Sequence, residues 1–329
     1  MSREEMVGFG ARDDAQDAPP EPPKRVVPWL KRFRRELRVR VLLLALPLLR
    51  ALPLEFAKAL GAFVGVAAYW MVGRERRLAL AHLALALPEK NEAERRAIAK
   101  ASFRNLGRGA LELAVIEKIQ PQLASYVLLG EREKALLREA HAQGKGVLFA
   151  SCHLGNWELL ARRIALEGYA CGTVAREAQD PRLTAILEGA RAKVGLATLW
   201  RGRPGVAREM LRLLRAGGFL GLLIDQDTDV QGFFVPFFGR PAHTPRAVGD
   251  LAVRTGAPAL FGCIHREGRG HRVVLEKIEA PATGDREADA KAVTARATMA
   301  IESEIRARPE EWVWMHRRWR TRPGRDSGA

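Results

Sequence analysis

Short apolar runs alternate with amphipathic stretches from Gly144 onward. The runs have the length of buried strands, and the stretches between them place apolar residues at helical spacing. The pattern predicts strands at 146–151, 170–175, 219–225, 258–264 and 271–278, and helices at 156–166, 181–194, 204–215, 245–254 and 286–307. Alternation of this kind indicates an α/β fold with a mainly parallel central sheet flanked by helices.

The chain before this alternation follows a different pattern. Residues 74–142 show apolar positions at helical spacing and are predicted to be helical. We therefore expect one main domain over 74–322, helical over 74–142 and α/β over 143–322. Residues 1–24 are polar and rich in proline, so they cannot bury enough apolar surface to become ordered. They are predicted to be a disordered tail, and 323–329 a second short tail.

A long apolar block, VLLLALPLLRALPLEFAKALGAFVGVAAYWMVG, precedes the helical region. A helix that spans a bilayer needs about 20 apolar residues. Five residues interrupt the block: Pro47, Arg50, Pro53, Glu55 and Lys58. Basic clusters flank it on both sides. We expect residues 25–73 to form membrane-anchor helices that lie in the interface rather than cross it. A true span and an ordinary core pair of helices are the alternatives.

The first predicted strand of the α/β region ends at His153, and Glu158 follows five residues later. Gly155 suits a sharp turn and Asn156 is a good N-cap, so Glu158 should lie in the first turn of a helix. Ligands of open α/β sheets bind at this edge. An imidazole can take a proton from a hydroxyl, and a carboxylate on its other nitrogen would fix the tautomer. The alternative is a helix-capping acid beside an unrelated histidine.

Two other chemistries are possible at the same place. A Cys152–His153 nucleophile pair is disfavoured because adjacent strand residues point to opposite faces. A metal site built from Cys152, His153, Cys263 and His265 matches no zinc-module spacing. Only three cysteines occur, which favours a reducing compartment over a disulfide framework.

Further polar residues follow predicted strands. Arg176 comes just after a strand and could bind phosphate, position Glu158, or be an ordinary surface arginine. Asp225, Gln226 and Asp227 end another strand and could form part of the same pocket rim, where they would orient arginines or bind substrate hydroxyls. A turn-forming cluster is the alternative.

The formal net charge of +16 narrows the class of partner. Residues 1–24 carry −3, so the rest of the chain carries +19. Such a surface favours a polyanion: nucleic acid, anionic lipid headgroups or an acidic carrier protein. The sequence contains no recognised nucleic-acid-binding module, and the basic groups cluster beside the apolar block, so we expect no nucleic acid as partner.

The segment GKGVLFASCHLGNWE resembles the signature block of bacterial lipid A biosynthesis acyltransferases, the late lauroyl and myristoyl transferases. These belong to the lysophospholipid acyltransferase group, whose mark is H-x-x-x-x-D/E. Three other blocks agree in order: RLALAHLALALPEKNEAERRAIAKASFRNLGRGALELA, IDQDTDVQGFFVPFFGRPAHTPRAVGDLAVRTGAP and RPEEWVWMHRRWRTRP. The resemblance covers roughly residues 30–322. His82 departs from the family pattern, which has asparagine there.

The resemblance implies residue roles within an acyltransferase domain over 74–322. His153 would be the general base, with Glu158 as its partner. Arg191 would stabilise the oxyanion that forms on the thioester carbonyl, and a solvated helix arginine is the alternative. The segment GFFVPFF (232–238) would be a loop that lines the acyl pocket or packs in the core. The segment WVWMHRRWR (312–320) would lie at the lipid interface or pack as a terminal cap.

The resemblance also implies substrates and location. The donor would be an acyl thioester on acyl carrier protein, and the acceptor a hydroxyl of a lipid A precursor or related glycolipid, with no metal or organic cofactor. The enzyme would act at an anionic membrane surface, on the cytoplasmic face of the bacterial inner membrane. The alternatives are the same chemistry on another glycolipid, a phospholipid or a pigment, and a catalytically silent lipid-binding relative.

Overall fold

The computed structural model describes residues 29–324. The predicted tail 1–24 and most of the predicted tail 323–329 lie outside this range. The chain divides into two compact units, one ending at Ala45 and the other beginning at Leu46. The helices are α1 (Trp29–Ala51), α2 (Leu54–Met71), α3 (Gly73–Ala86), α4 (Glu92–Ala114), α5 (Ile116–Ile119), α6 (Leu123–Tyr126), α7 (Glu131–Ala142), α8 (Trp157–Ala165), α9 (Pro181–Ala192), α10 (Val206–Arg215), α11 (Ala247–Thr255) and α12 (Arg286–Ala307).

The second unit is built on a seven-stranded sheet in the order β1-β9-β8-β2-β5-β3-β4. The strands are β1 (Val127–Leu128), β2 (Val147–Ser151), β3 (Cys171–Ala175), β4 (Leu196–Trp200), β5 (Phe219–Leu223), β6 (Gly232–Phe237), β7 (Arg240–Pro245), β8 (Ala259–Glu267) and β9 (Gly270–Ile278). All neighbours in the sheet are parallel except β8 and β9. The predicted α/β fold with a mainly parallel sheet is confirmed.

The sheet is central because its middle strands are apolar on both faces. All five residues of β2 are buried. Two apolar clusters cover the two faces, one including Leu148 and Ala150, the other Val147 and Phe149. This distribution explains why the strand has no polar alternation: a parallel strand packed on both faces loses stability with any polar residue that lacks a partner.

Four strands were not predicted from the sequence: β1, β4, β6 and β7. β1 has two residues and lies in the region expected to be helical, and β4 is partly exposed. The segment GFFVPFF was expected to be a loop, but it forms β6 of an antiparallel hairpin with β7. Pro236 made a strand improbable; it is tolerated because β6 and β7 form a separate two-stranded sheet, where each strand is an edge. Phe233, Phe237 and Phe238 are buried, so this segment belongs to the core.

The C-terminal aromatic segment packs as a cap on the core. Trp312, Trp314 and Arg318 are fully buried. Arg318 donates to the carbonyl of His243 and, at 2.6 Å, to the hydroxyl of Thr244. Leu154 and Trp312 form an antiparallel bridge. This bridge brings the end of the chain beside the turn that follows β2.

Helices α2 and α4 pack so closely that their backbones are in contact. A Cβ atom on Gly61 would lie 2.4 Å from the carbonyl oxygen of Gly107, and one on Gly65 would lie 2.2 Å from the carbonyl oxygen of Phe103. Only glycine permits this contact. Near the other end of α2, Tyr69 packs edge-on against Phe103 at 5.6 Å between ring centroids.

Candidate active site

A sharp turn places His153 at the carboxyl end of β2. Gly155 has φ of +62°, and a Cβ there would lie 2.1 Å from the carbonyl oxygen of Ile264. The predicted need for glycine at this turn is confirmed. Helix α8 begins two residues later, and the Trp157 ring packs edge-on against the imidazole, with 4.8 Å between centroids.

The carboxylate that orients His153 is Asp225, which follows β5. Its Oδ1 lies 2.8 Å from Nδ1 of His153, and its Oδ2 accepts from the His153 backbone N–H at 2.8 Å. The indole N–H of Trp312 donates to the same Oδ2 at 2.7 Å. An ionised carboxylate only accepts, so Nδ1 carries the proton and Nε2 carries the lone pair of the neutral ring.

Asp225 is held as a carboxylate despite its burial. Burial alone would raise its pKa, but the charge and hydrogen bonds of His153, with His316 nearby, outweigh burial and hold the pKa of Asp225 well below its usual range. Its side chain has no exposed surface, whereas 21% of the His153 side-chain surface is exposed. The imidazole can therefore reach a substrate while its partner cannot be solvated.

Glu158 does not contact His153, contrary to expectation. It lies in the first turn of α8, as predicted, but its carboxylate accepts from the guanidinium of Arg191, from Nε at 3.0 Å and also from Nη2. Both side chains are buried. His153 lies before α8 and Glu158 within its first turn, and the partner of Glu158 is on α9. Arg191, expected as an oxyanion donor, uses one edge of its guanidinium for this pair.

Asn156 occupies the N-cap position of α8, as expected, but its side chain does not cap the helix. The Asn156 amide donates instead to Glu112 of α4 at 3.0 Å. Glu112 is fully buried and also accepts from Arg266 at 2.7 and 3.0 Å and from the Tyr126 hydroxyl at 2.7 Å. Burial would raise the pKa of Glu112, but its contacts with His271 and Arg266 hold it well below its usual range. This network ties the His153 turn to α4.

A cavity of about 650 Å³ opens beside His153. Its polar lining includes His153, Glu158 and Arg191. Apolar side chains from both faces of the sheet also line it, among them Leu160, Ile164, Leu196, Met210, Phe219 and Leu222. A cavity that combines these polar groups with many apolar side chains suits a chain-like apolar ligand whose reactive group lies at the imidazole.

The remaining predicted site residues separate into two groups. Arg176 and Gln226 line the cavity. The Gln226 amide nitrogen lies 3.3 Å from each ring nitrogen of His153. Asp227 instead binds the C-terminal segment, where it accepts from the backbone N–H of Thr321 at 2.6 Å and from its hydroxyl at 2.9 Å.

Two residues of the C-terminal segment complete the site and were not singled out from the sequence. Trp312 donates to Asp225, and the His316 ring lies 5.8 Å from the His153 ring, with its Nε2 4.0 Å from Asp225 Oδ2. Burial lowers the pKa of His316 to about 4, so it is neutral at pH 7. Nothing in the local sequence indicated either contact, because more than eighty residues separate this segment from β5.

The cysteines contribute no nucleophile. Cys152 is buried in the core, and burial raises the pKa of its thiol well above the usual value. In the part of the chain that the structure describes, the one set of three residues spaced like metal ligands is His153, Asp225 and His316, within 4.8 Å of one another. Both Asp225 oxygens already accept hydrogen bonds, which favours an orienting role for this carboxylate.

The fold and site together define a class of protein. A parallel sheet presents an imidazole with an unprotonated Nε2 at its carboxyl edge, and an apolar cavity begins there. Such a site can deprotonate a hydroxyl beside a bound chain, which is the requirement of acyl transfer.

Comparison with known proteins identifies the family. Residues 31–321 match the sequence profile of the bacterial lipid A biosynthesis acyltransferases. The match covers most of the chain, so this protein belongs to that acyltransferase family.

Several relatives carry different acyl names. The lipid A biosynthesis lauroyltransferase of Escherichia coli K12 is 26% identical over 278 residues, covering 83% of this chain and 88% of the relative. The myristoyltransferase of the same strain is 26% identical over 258 residues, 76% of each chain. The palmitoleoyltransferase is 25% identical over 277 residues, 83% of this chain and 87% of the relative. This chain is almost equally identical to relatives named for three different acyl groups, so the identities do not indicate the length of the acyl chain that it transfers.

Proposed function

We propose that this chain transfers a fatty acyl group from an acyl thioester on acyl carrier protein to a hydroxyl of a lipid A precursor. The observation that carries the proposal is the contact between Nδ1 of His153 and the buried Asp225, beside an apolar cavity. Family membership supports the acceptor. The basic surface, with +16 net charge, supports an acidic carrier as donor.

The reaction follows from the tautomer of His153. Nε2 takes the proton from the acceptor hydroxyl while its oxygen forms a bond to the thioester carbonyl carbon. Asp225 stabilises the imidazolium through Nδ1–H. The tetrahedral intermediate then collapses, the carbon–sulfur bond breaks, and Nε2–H returns the proton to the leaving thiolate. The products are the ester and the free thiol of the carrier.

The oxyanion of the intermediate needs donors near Nε2. Arg191 directs Nε and Nη2 to Glu158 and Nη1 to the hydroxyl of Thr198 at 3.3 Å. Its remaining N–H groups and the amide of Gln226 are the candidate donors. In this proposal Glu158 acts on the reaction only through Arg191, which it holds in the polar lining of the cavity.

The test uses the purified full-length chain with acyl carrier protein thioester and lipid A precursor, and mass spectrometry to detect the acylated product. His153→Gln should lower kcat by about 10²- to 10⁴-fold because it removes the base. His141→Gln, an exposed histidine of α7, is the control and should keep wild-type turnover. A His153→Gln enzyme with more than one tenth of wild-type kcat refutes the assigned role. Wild-type protein that binds these lipids without transferring an acyl chain favours a silent relative.

We also propose that the protein acts at the cytoplasmic face of the inner membrane, with α2 lying in the plane of the interface. In the described residues α2 is the one helix long and apolar enough to cross a membrane. Its exposed face carries Phe56, Phe63 and Trp70. The opposite face is fixed to the catalytic unit: Lys58 donates to the carbonyl of Arg269 at 2.8 Å, and the glycine contacts join α2 to α4. A helix attached to one globular unit along its length cannot place its ends on opposite sides of a bilayer.

Nitroxide labels test this orientation independently of activity. Single cysteines at 56, 63 and 70 lie within about 40° of one face and extend over roughly 21 Å of the helix axis. The three native cysteines are buried, so an otherwise native chain with one added cysteine can be labelled. In anionic vesicles the three labels should report the same shallow depth. A middle label about 10 Å deeper than the outer two would indicate a crossing helix and contradict the proposal.

A further inference from the structure

Four arginines line the cavity beside His153: Arg176, Arg191, Arg201 and Arg246. Two of them are neutralised by carboxylates. Arg191 is paired with Glu158. Arg246 donates to Asp250 at 2.7 Å and to Glu287 at 2.6 Å. The other two therefore determine what charge the cavity attracts.

Arg176 and Arg201 lie side by side at the carboxyl edge of the sheet. Ala175 of β3 is in register with Trp200 of β4, and each arginine is the next residue of its chain segment. The backbone N–H of Arg201 also donates to the carbonyl of Ala175 at 2.8 Å. Within residues 29–324, neither guanidinium has a side-chain hydrogen bond or an ion pair. The neighbouring acid Glu177 pairs with Arg203 at 2.6 Å.

The two guanidiniums repel each other. Burial and the charge of Arg176 lower the pKa of Arg201, while Asp229 opposes this effect without forming an ion pair. Two adjacent cations without a counter-charge, at a cavity rim, are a costly arrangement that an anion would relieve.

Two further features of the same cavity favour an anion. Val206, the first residue of α10, lines the cavity, and in residues 29–324 this helix has no side-chain cap at its N-terminus. The hydroxyl of Thr228 also lines the cavity and is buried without a hydrogen-bond partner among the described residues. Two arginines, a helix N-terminus and a hydroxyl offer more donors than the two oxygens of a carboxylate can use, whereas a phosphate accepts from all of them.

We infer that Arg176 and Arg201 form a binding site for a phosphate group of one of the two substrates. This inference rests on the proposed acyl transfer, because it gives the phosphate-bearing substrate its place at the cavity rim. The phosphate belongs either to the lipid acceptor or to the prosthetic arm of the carrier-bound donor. The two sources share one chemistry and differ in the assay that reveals them.

The first experiment detects the site without catalysis. An arginine-specific dicarbonyl reagent modifies the wild-type protein with and without inorganic phosphate, and mass spectrometry quantifies each arginine. Phosphate should slow modification of Arg176 and Arg201 several-fold and leave Arg138 unchanged. Arg138 is an exposed arginine of α7 that does not line the cavity. Equal modification of all three with and without phosphate counts against the site.

The second experiment identifies the source of the phosphate. Arg201→Gln should raise KM for the phosphate-bearing substrate by roughly 10- to 100-fold, the value of one charge-assisted hydrogen bond. Arg201→Lys should recover part of the loss, and Arg138→Gln should behave like wild type. The donor arm compares carrier thioester with a synthetic acyl thioester that lacks phosphate. The acceptor arm compares the lipid before and after phosphatase treatment.

The increase in KM caused by Arg201→Gln should disappear when the substrate that Arg201 recognises, donor or acceptor, is replaced by its form without phosphate. Unchanged KM values for both phosphorylated substrates in Arg201→Gln and in the double variant with Arg176→Gln would overturn the inference. Phosphate protection in a wild-type protein that transfers no acyl chain would keep the site and reject the proposed function, so the two failures are distinguishable.

Discussion

Replacing Asp225 by asparagine should invert the tautomer of His153 while preserving the shape of the buried side chain. In the wild type, Oδ2 accepts two N–H groups, from the His153 backbone and from Trp312, and Oδ1 faces Nδ1. The asparagine carbonyl will take the place of Oδ2, because only it can accept. The amide NH₂ then faces Nδ1 and donates to it. The ring proton moves to Nε2, which loses the lone pair that the reaction needs.

The size of the effect follows from the group that is lost. General-base catalysis contributes about 10²- to 10⁴-fold to a rate, and the variant forfeits this contribution and the stabilisation of the imidazolium. Asp227→Asn is a matched control. Asp227 is also buried, two residues further along, and both its oxygens accept from Thr321. We expect the two variants to lose similar stability, about 1–3 kcal/mol, and only Asp225→Asn to lose turnover.

Two measurements check the reasoning. Steady-state kinetics with carrier thioester and lipid A precursor gives kcat for both variants. Nitrogen-15 NMR of labelled histidine shows which ring nitrogen carries the proton. The wild type should show a protonated Nδ1 and the Asp225→Asn variant a protonated Nε2. An Asp225→Asn enzyme with kcat within threefold of Asp227→Asn, or one that keeps the Nδ1–H tautomer, refutes the argument.

The remaining predictions concern stability, measured as the free energy of unfolding. Gly61→Ala should cost about 1–3 kcal/mol, because its Cβ would overlap a carbonyl oxygen of α4. Gly189→Ala is the control and should not destabilise the protein, because the space around Gly189 is open. Equal effects of the two variants would contradict the close contact between α2 and α4. Glu158→Gln should cost about 3–5 kcal/mol by leaving the Arg191 charge buried and unpaired, and an unchanged unfolding midpoint would count against that pair. Burial lowers the pKa of His265 from 6.5 to about 4, so between these pH values the unfolded chain binds a proton that the folded chain does not. The free energy of unfolding should therefore fall as pH drops from 6.5 to 4. His265→Leu should make this dependence on pH less steep, and an unchanged dependence would exclude His265 as its source.

The main sheet and the position of His153 were predictable because they depend on local pattern. The run VLFA (147–150) is apolar at every position and is bounded by glycine on one side, which favours a strand buried on both faces. The requirement for glycine at 155 follows from the turn alone. The carboxyl edge of the sheet then fixes where His153 lies, whatever the order of the other strands.

The partner of His153 was not predictable from sequence spacing. Asp225 lies 72 residues away, and the contact exists because β5 is the neighbour of β2 in the sheet. The sequence did place Asp225 at a strand end, but strand order, which local periodicity does not encode, decides which strand ends meet. The loop expected at 232–238 is a strand for a related reason: proline is disfavoured in central strands, and β6, which contains Pro236, is an edge strand of a two-stranded sheet.

The spacing of His153 and Glu158 acquires a different meaning once both partners are known. The turn at Gly155 and the start of α8 direct the two side chains to different neighbours: His153 to Asp225 at the end of β5, and Glu158 to Arg191 at the end of α9. Through these side-chain contacts, residues 153–158 link the end of β5 to α9 beside the cavity. His153 and Arg191 keep a fixed separation because both are bound through this segment, so in the proposed reaction a change in the spacing between His153 and Glu158 would displace one of them from the thioester. The five-residue interval is therefore a constraint on the geometry between the His153–Asp225 hydrogen bond and the Glu158–Arg191 ion pair, and a direct contact between His153 and Glu158 is not needed to explain it.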